Sequence, residues 1–158
     1  MYRVAAVIGV LMSVVPIAAC TRRPGEQAAA HGTSDQAAVD AGLHRYSELV
    51  LAMDHAGIAA LFAPEGEIVN RGAPAIHGRS AIDSFLVRFS GYRVLENHTI
   101  PAATSVLGDS AVQVGAYEQR VRTPQGDTLV ASGSFRAVWQ RSPTGGWLIL
   151  RMSTAPAK

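Results

Sequence analysis

A chain of 158 residues, 48% apolar and 16% charged, suits one packed domain with a short hydrophobic segment added. Its formal net charge of +2, with no basic run interleaved with aromatics, argues against nucleic acid as a partner. Cys20 is the single cysteine, which excludes an internal disulfide, and no Cys/His cluster has metal-ligand spacing, so neither metal nor other cofactor is expected.

Residues 1–19 read as an address rather than as structure. After Arg3, the apolar run from Val4 to Val15 is broken only by Gly9 and Ser13. It falls short of the ~20 residues a spanning helix needs and matches a signal-peptide core. A plain secretory signal ending at Ala19 would put bulky Ile17 three residues before the cut. The stretch Ile17-Ala18-Ala19-Cys20 instead resembles the bacterial lipobox. That resemblance implies cleavage before Cys20, a diacylglyceryl thioether on its sulfur and an acylated amine. More than one acyl chain suffices for stable anchoring. With Thr21 after the cysteine, the implied place is the cell envelope, on the outer membrane facing the periplasm if the source is Gram-negative. Residues 20–33 lack apolar periodicity and carry Pro24, Gly25 and Gly32, which reads as a flexible tether ahead of a domain at 34–158.

Thr33 and Gln36 have capping-box spacing. Val39, Leu43, Tyr46, Val50 and Met53 then recur at steps of four and three, which predicts an amphipathic helix over 35–53. Asp40, Arg45 and Glu48 fall off that stripe. Asp54 suits the N-cap of a second, short helix over 55–62, with His55 in its exposed first turn. Pro64 and Gly66 end it. Brief extended pieces follow at 67–70 and 75–77, then a third helix from Gly78 carries Ile82, Phe85, Leu86 and Phe89 at helical spacing.

Beyond Gly91 the chain alternates apolar-rich runs with turn signals. Strands are expected near 92–107, 110–122, 128–141 and 147–154, joined at Gly108-Asp109, 123–127 and 142–146. Short turns make this an antiparallel meander. Carrying register from each turn puts Trp139 opposite Ile149, Phe135 opposite Ser153, Tyr117 opposite Gly133 and His98 opposite Gln119. One face then holds Val94, His98, Ile100, Gln113, Tyr117, Gln119, Phe135, Trp139, Trp147, Ile149, Arg151 and Ser153. Its aromatics assign it to the helices, and its polar members describe a pocket rather than a plain core. The other face carries Val112, Val114, Val138, Leu148, Leu150 and Met152. An apolar face of that size needs cover, and a homodimer through the sheet would supply it.

Three stretches share a pattern. They are Met53-Asp54 before Ala59-Ala60-Leu61-Phe62-Ala63-Pro64, then Ile76 to Ile82, then Val138 to Arg141 with Gly146 to Arg151. In order and spacing, over about residues 35–155, the chain resembles the nuclear-transport-factor-2-like superfamily in its SnoaL-like and ketosteroid-isomerase-like bacterial branch. The resemblance implies an α+β domain whose cone-like, curved antiparallel sheet wraps around about three N-terminal helices. It implies no single activity, because that superfamily includes isomerases, cyclases, dehydratases and binding modules. Many relatives carry a histidine near the end of the last strand, where this chain has Arg151, Met152 and Ser153.

The expected partner is a small, partly apolar ligand. His98 is the candidate for proton transfer, since imidazole suits acid–base work near neutral pH. Tyr117 either donates to a carbonyl or enolate oxygen, as the resemblance implies, or covers Gly133 across the strand pair. Tyr46, Asp54, Gln113, Gln119, Phe135, Trp139, Arg151 and Ser153 are expected to line the pocket. Asp54 also reads as a cap, Trp139 as core, and Arg151 as a rim residue or the partner of Glu96.

Overall fold

The computed structural model describes residues 24–157, with side chains from Thr33 onward. The expected leader and Cys20 lie outside the described residues. Helix α1 runs Pro24–Ala52, so the segment expected to be a tether is helical from Pro24 on. Proline is well suited to a first helical turn, and Ala28-Ala29-Ala30 are strong helix formers. Missing apolar periodicity does not by itself require coil.

Helix α1 ends on a residue that is rarely left-handed. Met53 has φ 55, while the Met53 amide donates to the Val50 carbonyl at 3.1 Å and the Asp54 amide to that of Leu49 at 3.0 Å. These are the paired bonds of a Schellman turn, built on methionine where glycine is usual. The turn delivers Asp54 to cap α2, His55–Ala60, by accepting from the Gly57 amide at 2.9 Å. Helix α3, Arg79–Val87, follows Gly78, whose φ of 85 favours glycine. Arg79 ties its first turn to the sheet by donating twice to the Phe62 carbonyl, at 3.1 and 2.6 Å.

Six strands form one curved sheet in the order β2-β1-β6-β5-β4-β3. They are β1 (Phe62–Asn70), β2 (Ile76–His77), β3 (Arg93–Leu107), β4 (Ser110–Arg122), β5 (Thr128–Arg141) and β6 (Trp147–Pro156). The expected meander is β3 to β6. The sheet is mixed, because β1 pairs with β6 in parallel.

Three extra residues decide which side chains face the helices. Trp139 lies opposite Ile149 as expected, but the next pair is Val138 with Arg151, leaving Leu150 bulged. Every residue of β6 beyond it changes face. Met152 and Thr154 turn inward, and Arg151 and Ser153 turn outward. In β3 the shifts fall between Pro101 and Ala103 and between Val94 and Glu96, so Ala102 and Leu95 are extra. His98 therefore pairs with Glu118 and Ile100 with Ala116, on the outer face, while Asn97 and Thr99 take the inner one. Proline cannot donate to a ladder, which is why the slip sits beside Pro101.

The core lies between α1, α2, α3 and the inner sheet face. Trp139, Phe62, Ile82, Ile149 and Val39 are fully buried there. No helix among the described residues is long and apolar enough to cross a membrane.

Candidate functional site

Where α1, α2 and α3 lean over the inner face, a two-lobed cavity remains. The first lobe, about 380 Å³, lies under α3 and is walled by Val50, Met53, Ile58, Leu86, Val94 and Val121. Phe85, Phe89 and Tyr92 form its aromatic side, with ring centroids 5.3 and 5.6 Å apart in edge-on contacts. The second lobe, about 270 Å³, adjoins it along Tyr46, Val50, Asn70, Gln119 and Ala131. Its wall is polar, with Asn97, Thr99, Tyr117 and Thr154 among its members.

A relay of hydrogen bonds holds that wall. Gln119 Nε2 donates to Asn97 Oδ1 at 3.3 Å, and Asn97 Nδ2 donates to the Ser47 carbonyl at 3.4 Å. The Ser47 and Thr99 hydroxyls bond each other, and Thr154 Oγ1 donates to Asn70 Oδ1 at 2.7 Å. The amides are thereby oriented with capacity to spare, since Gln119 Oε1 and Asn70 Nδ2 keep no partner among the described residues. Tyr46 lines both lobes, and burial pushes its hydroxyl up to about 12, so it is a protonated donor at any ordinary pH.

Of the pocket residues expected from sequence, Tyr46, Gln119, Tyr117 and Phe135 line the cavity. Gln113 and Trp139 face inward but are sealed in the core. Asp54 is an exposed helix cap and lines neither lobe. Arg151 and Ser153 stand outside because of the Leu150 bulge, and Arg151 pairs with Glu67 instead of Glu96. Glu96 pairs with Arg120 at 2.6 Å. His98 is exposed on the outer side of the Ala102 bulge, so the expected His98–Tyr117 pair is not assembled.

His55 was the residue most misread. It lines the first lobe, and its Nε2 is buried without a hydrogen-bond partner. The left-handed Met53 brings it there, and only that turn could have signalled it. Asn70, Asn97, Thr99 and Thr154 were also missed; the last three depended on the bulges. Among the described residues, no group of three or more His, Cys, Asp or Glu could hold a metal ion.

A curved, unclosed sheet with three helices over its inner face is the cone fold of nuclear-transport-factor-2-like proteins. Within that class the chain belongs to the SnoaL-like domain family, which matches residues 32–153. An NTF2-like protein with a cystatin-like fold from Novosphingobium aromaticivorans superposes with a TM-score of 0.72 at 20% identity, over 88% of this chain and 92% of its own. A ketosteroid isomerase-like protein from Erwinia carotovora atroseptica gives 0.71 at 18% identity, over 78% of this chain and 97% of its own. An NTF2-like superfamily protein from Salmonella enterica serovar Typhimurium gives 0.68 at 21%, over 80% and 94%. At such identities the likeness is one of fold. No curated protein matches the chain in sequence.

Proposed function

We propose that the domain binds a small, partly apolar molecule in the two-lobed cavity. The observation that carries this reading is an apolar lobe opening beside oriented polar groups with unused hydrogen-bonding capacity. A core built only for stability would fill such a space with side chains, and would not leave His55 Nε2 buried beside it without a partner. The neutral probe N-phenyl-1-naphthylamine is expected to bind with enhanced fluorescence. Ala131→Trp, which places an indole against both lobes, should weaken that binding by about tenfold or more, as one lost methylene-scale contact to several rings would. Equal affinity in the variant would place the probe elsewhere and remove the reading.

The same proposal includes a location, supported by the lipobox-like Ile17-Ala18-Ala19-Cys20. A lipid on Cys20 would hold the domain at a membrane of the cell envelope, with Pro24–Ala52 rising from near the anchor. Cys20→Ala should shift the protein from the membrane to the soluble fraction. A variant that stays membrane-bound and uncleaved would instead make the leader a permanent anchor.

A further inference from the structure

The two lobes differ in chemistry and agree in charge. Among the described residues, neither is lined by Asp, Glu, Lys or Arg. The first offers aromatic edges and aliphatic chains, and the second offers carboxamides and hydroxyls. A buried carboxylate or ammonium without a counter-ion loses its hydration and gains too little from neutral dipoles. From this we propose that the cavity selects an uncharged amphiphile. Its ring or hydrocarbon body lies against Phe85, Phe89 and Tyr92, and its carbonyl or hydroxyl oxygen lies among Tyr46, Asn70, Tyr117 and Gln119. This rests on the binding reading above and adds the charge of the ligand and its direction.

Arg88 and His55 come near and neither changes the argument. Arg88 stacks its guanidinium over Phe85, 4.7 Å from the ring centre, and is an exposed residue that does not line either lobe. His55 lines the apolar lobe, whose border with the second lobe holds Asn70 and Gln119, and it is not among the residues that line the second. A carboxylate drawn to Arg88 would leave the polar lobe unused, whereas a neutral oxygen can satisfy a phenol donor and an amide donor together. The tyrosine hydroxyls and the Asn70 amide donate; Gln119 Oε1 accepts from an alcohol. Ketones and alcohols therefore both fit.

Matched naphthalene probes test this on the whole protein by ligand-observed NMR titration. 2-Acetylnaphthalene should bind at least about tenfold more tightly than 2-naphthoate or 2-naphthylmethylammonium, which share its ring system. Gln119→Leu should weaken 2-acetylnaphthalene while leaving naphthalene itself unaffected, which a general loss of fold would not do. Thr154→Val provides the same comparison if Gln119→Leu does not fold, because it frees the Asn70 carbonyl to compete for the amide lobe. Naphthoate or the ammonium binding as tightly as the ketone overturns the charge selection alone, and leaves the binding reading standing. An equal loss of ketone and naphthalene in a folded variant overturns the direction. Binding of none of the probes removes the cavity reading itself.

Discussion

Trp139→Ala is expected to lower unfolding free energy by about 3–5 kcal/mol, the range for emptying a large aromatic site in a packed core. Trp139 is 0% exposed and is the largest fully buried side chain. Its ring reaches from β5 to α1, where a Cβ built on Gly42 would lie 2.9 Å from Cζ3 and 3.0 Å from Cη2. Glycine inside a helix normally weakens it by about 1 kcal/mol relative to alanine. Here it keeps the helix backbone against the indole. Gly42→Ala should therefore destabilise the native protein despite its better propensity. In a Trp139→Phe background the six-membered ring carrying Cζ3 and Cη2 is gone, and the same substitution should become neutral or stabilising. The indole Nε1 has no partner to lose, which keeps the comparison clean. Urea unfolding of the four proteins in this cycle gives the coupling. If Gly42→Ala costs the same in both backgrounds, the indole contact is not what requires glycine.

How far this architecture could be read from sequence follows from the range of the signals involved. The loops at Gly108-Asp109, 123–127 and 142–146 carry their own turn chemistry, and strands β3 to β6 begin and end where those loops imply. Pairings next to a turn, such as Arg141 with Trp147 and Tyr117 with Gly133, are also as read. Register decays with distance from the turn because a bulge leaves no mark on alternation. Leu150 sits in an apolar run, Trp147-Leu148-Ile149-Leu150, where either face could claim each residue. Only Pro101 hinted at a break. The parallel β1–β6 contact joins residues such as Glu67 and Arg151, 84 positions apart, and no local pattern encodes it. The site suffered most. Tyr46 lay on a helical stripe and was legible, whereas His55 depends on a strained turn and Thr154 on the bulge at Leu150, directly after the last pair read as expected.

A second large effect is expected at the place where α1 meets the far end of β4. Gln113 is 0% exposed, the one fully buried polar side chain among the described residues. Its Nε2 donates to Asp40 Oδ1 at 2.7 Å and lies 3.1 Å from Thr104 Oγ1, which itself donates to Asp40 Oδ1 at 2.9 Å. Asp40 falls off the apolar stripe of α1, so periodicity alone placed it in solvent. It is instead the acceptor that two strands share. Hydrogen bonds to a charged acceptor contribute more than neutral ones, and a buried amide left unpaired adds its own desolvation. Asp40→Leu should cost about 3 kcal/mol, since Gln113 would keep only the longer Thr104 contact and its Oε1 is already without a partner. The double variant Asp40→Leu/Gln113→Leu removes both the acceptor and the amide that needs it. It should recover a large part of the loss, because replacing both partners by apolar groups of similar shape is close to neutral. Urea unfolding of the single and double variants separates two accounts. If the double variant is as unstable as the sum of the singles, the contact would be packing alone. Recovery would mean that α1 is seated on the sheet by one buried polar cluster, whose unmet demand, rather than its bond strength, keeps the helix in place over the cavity.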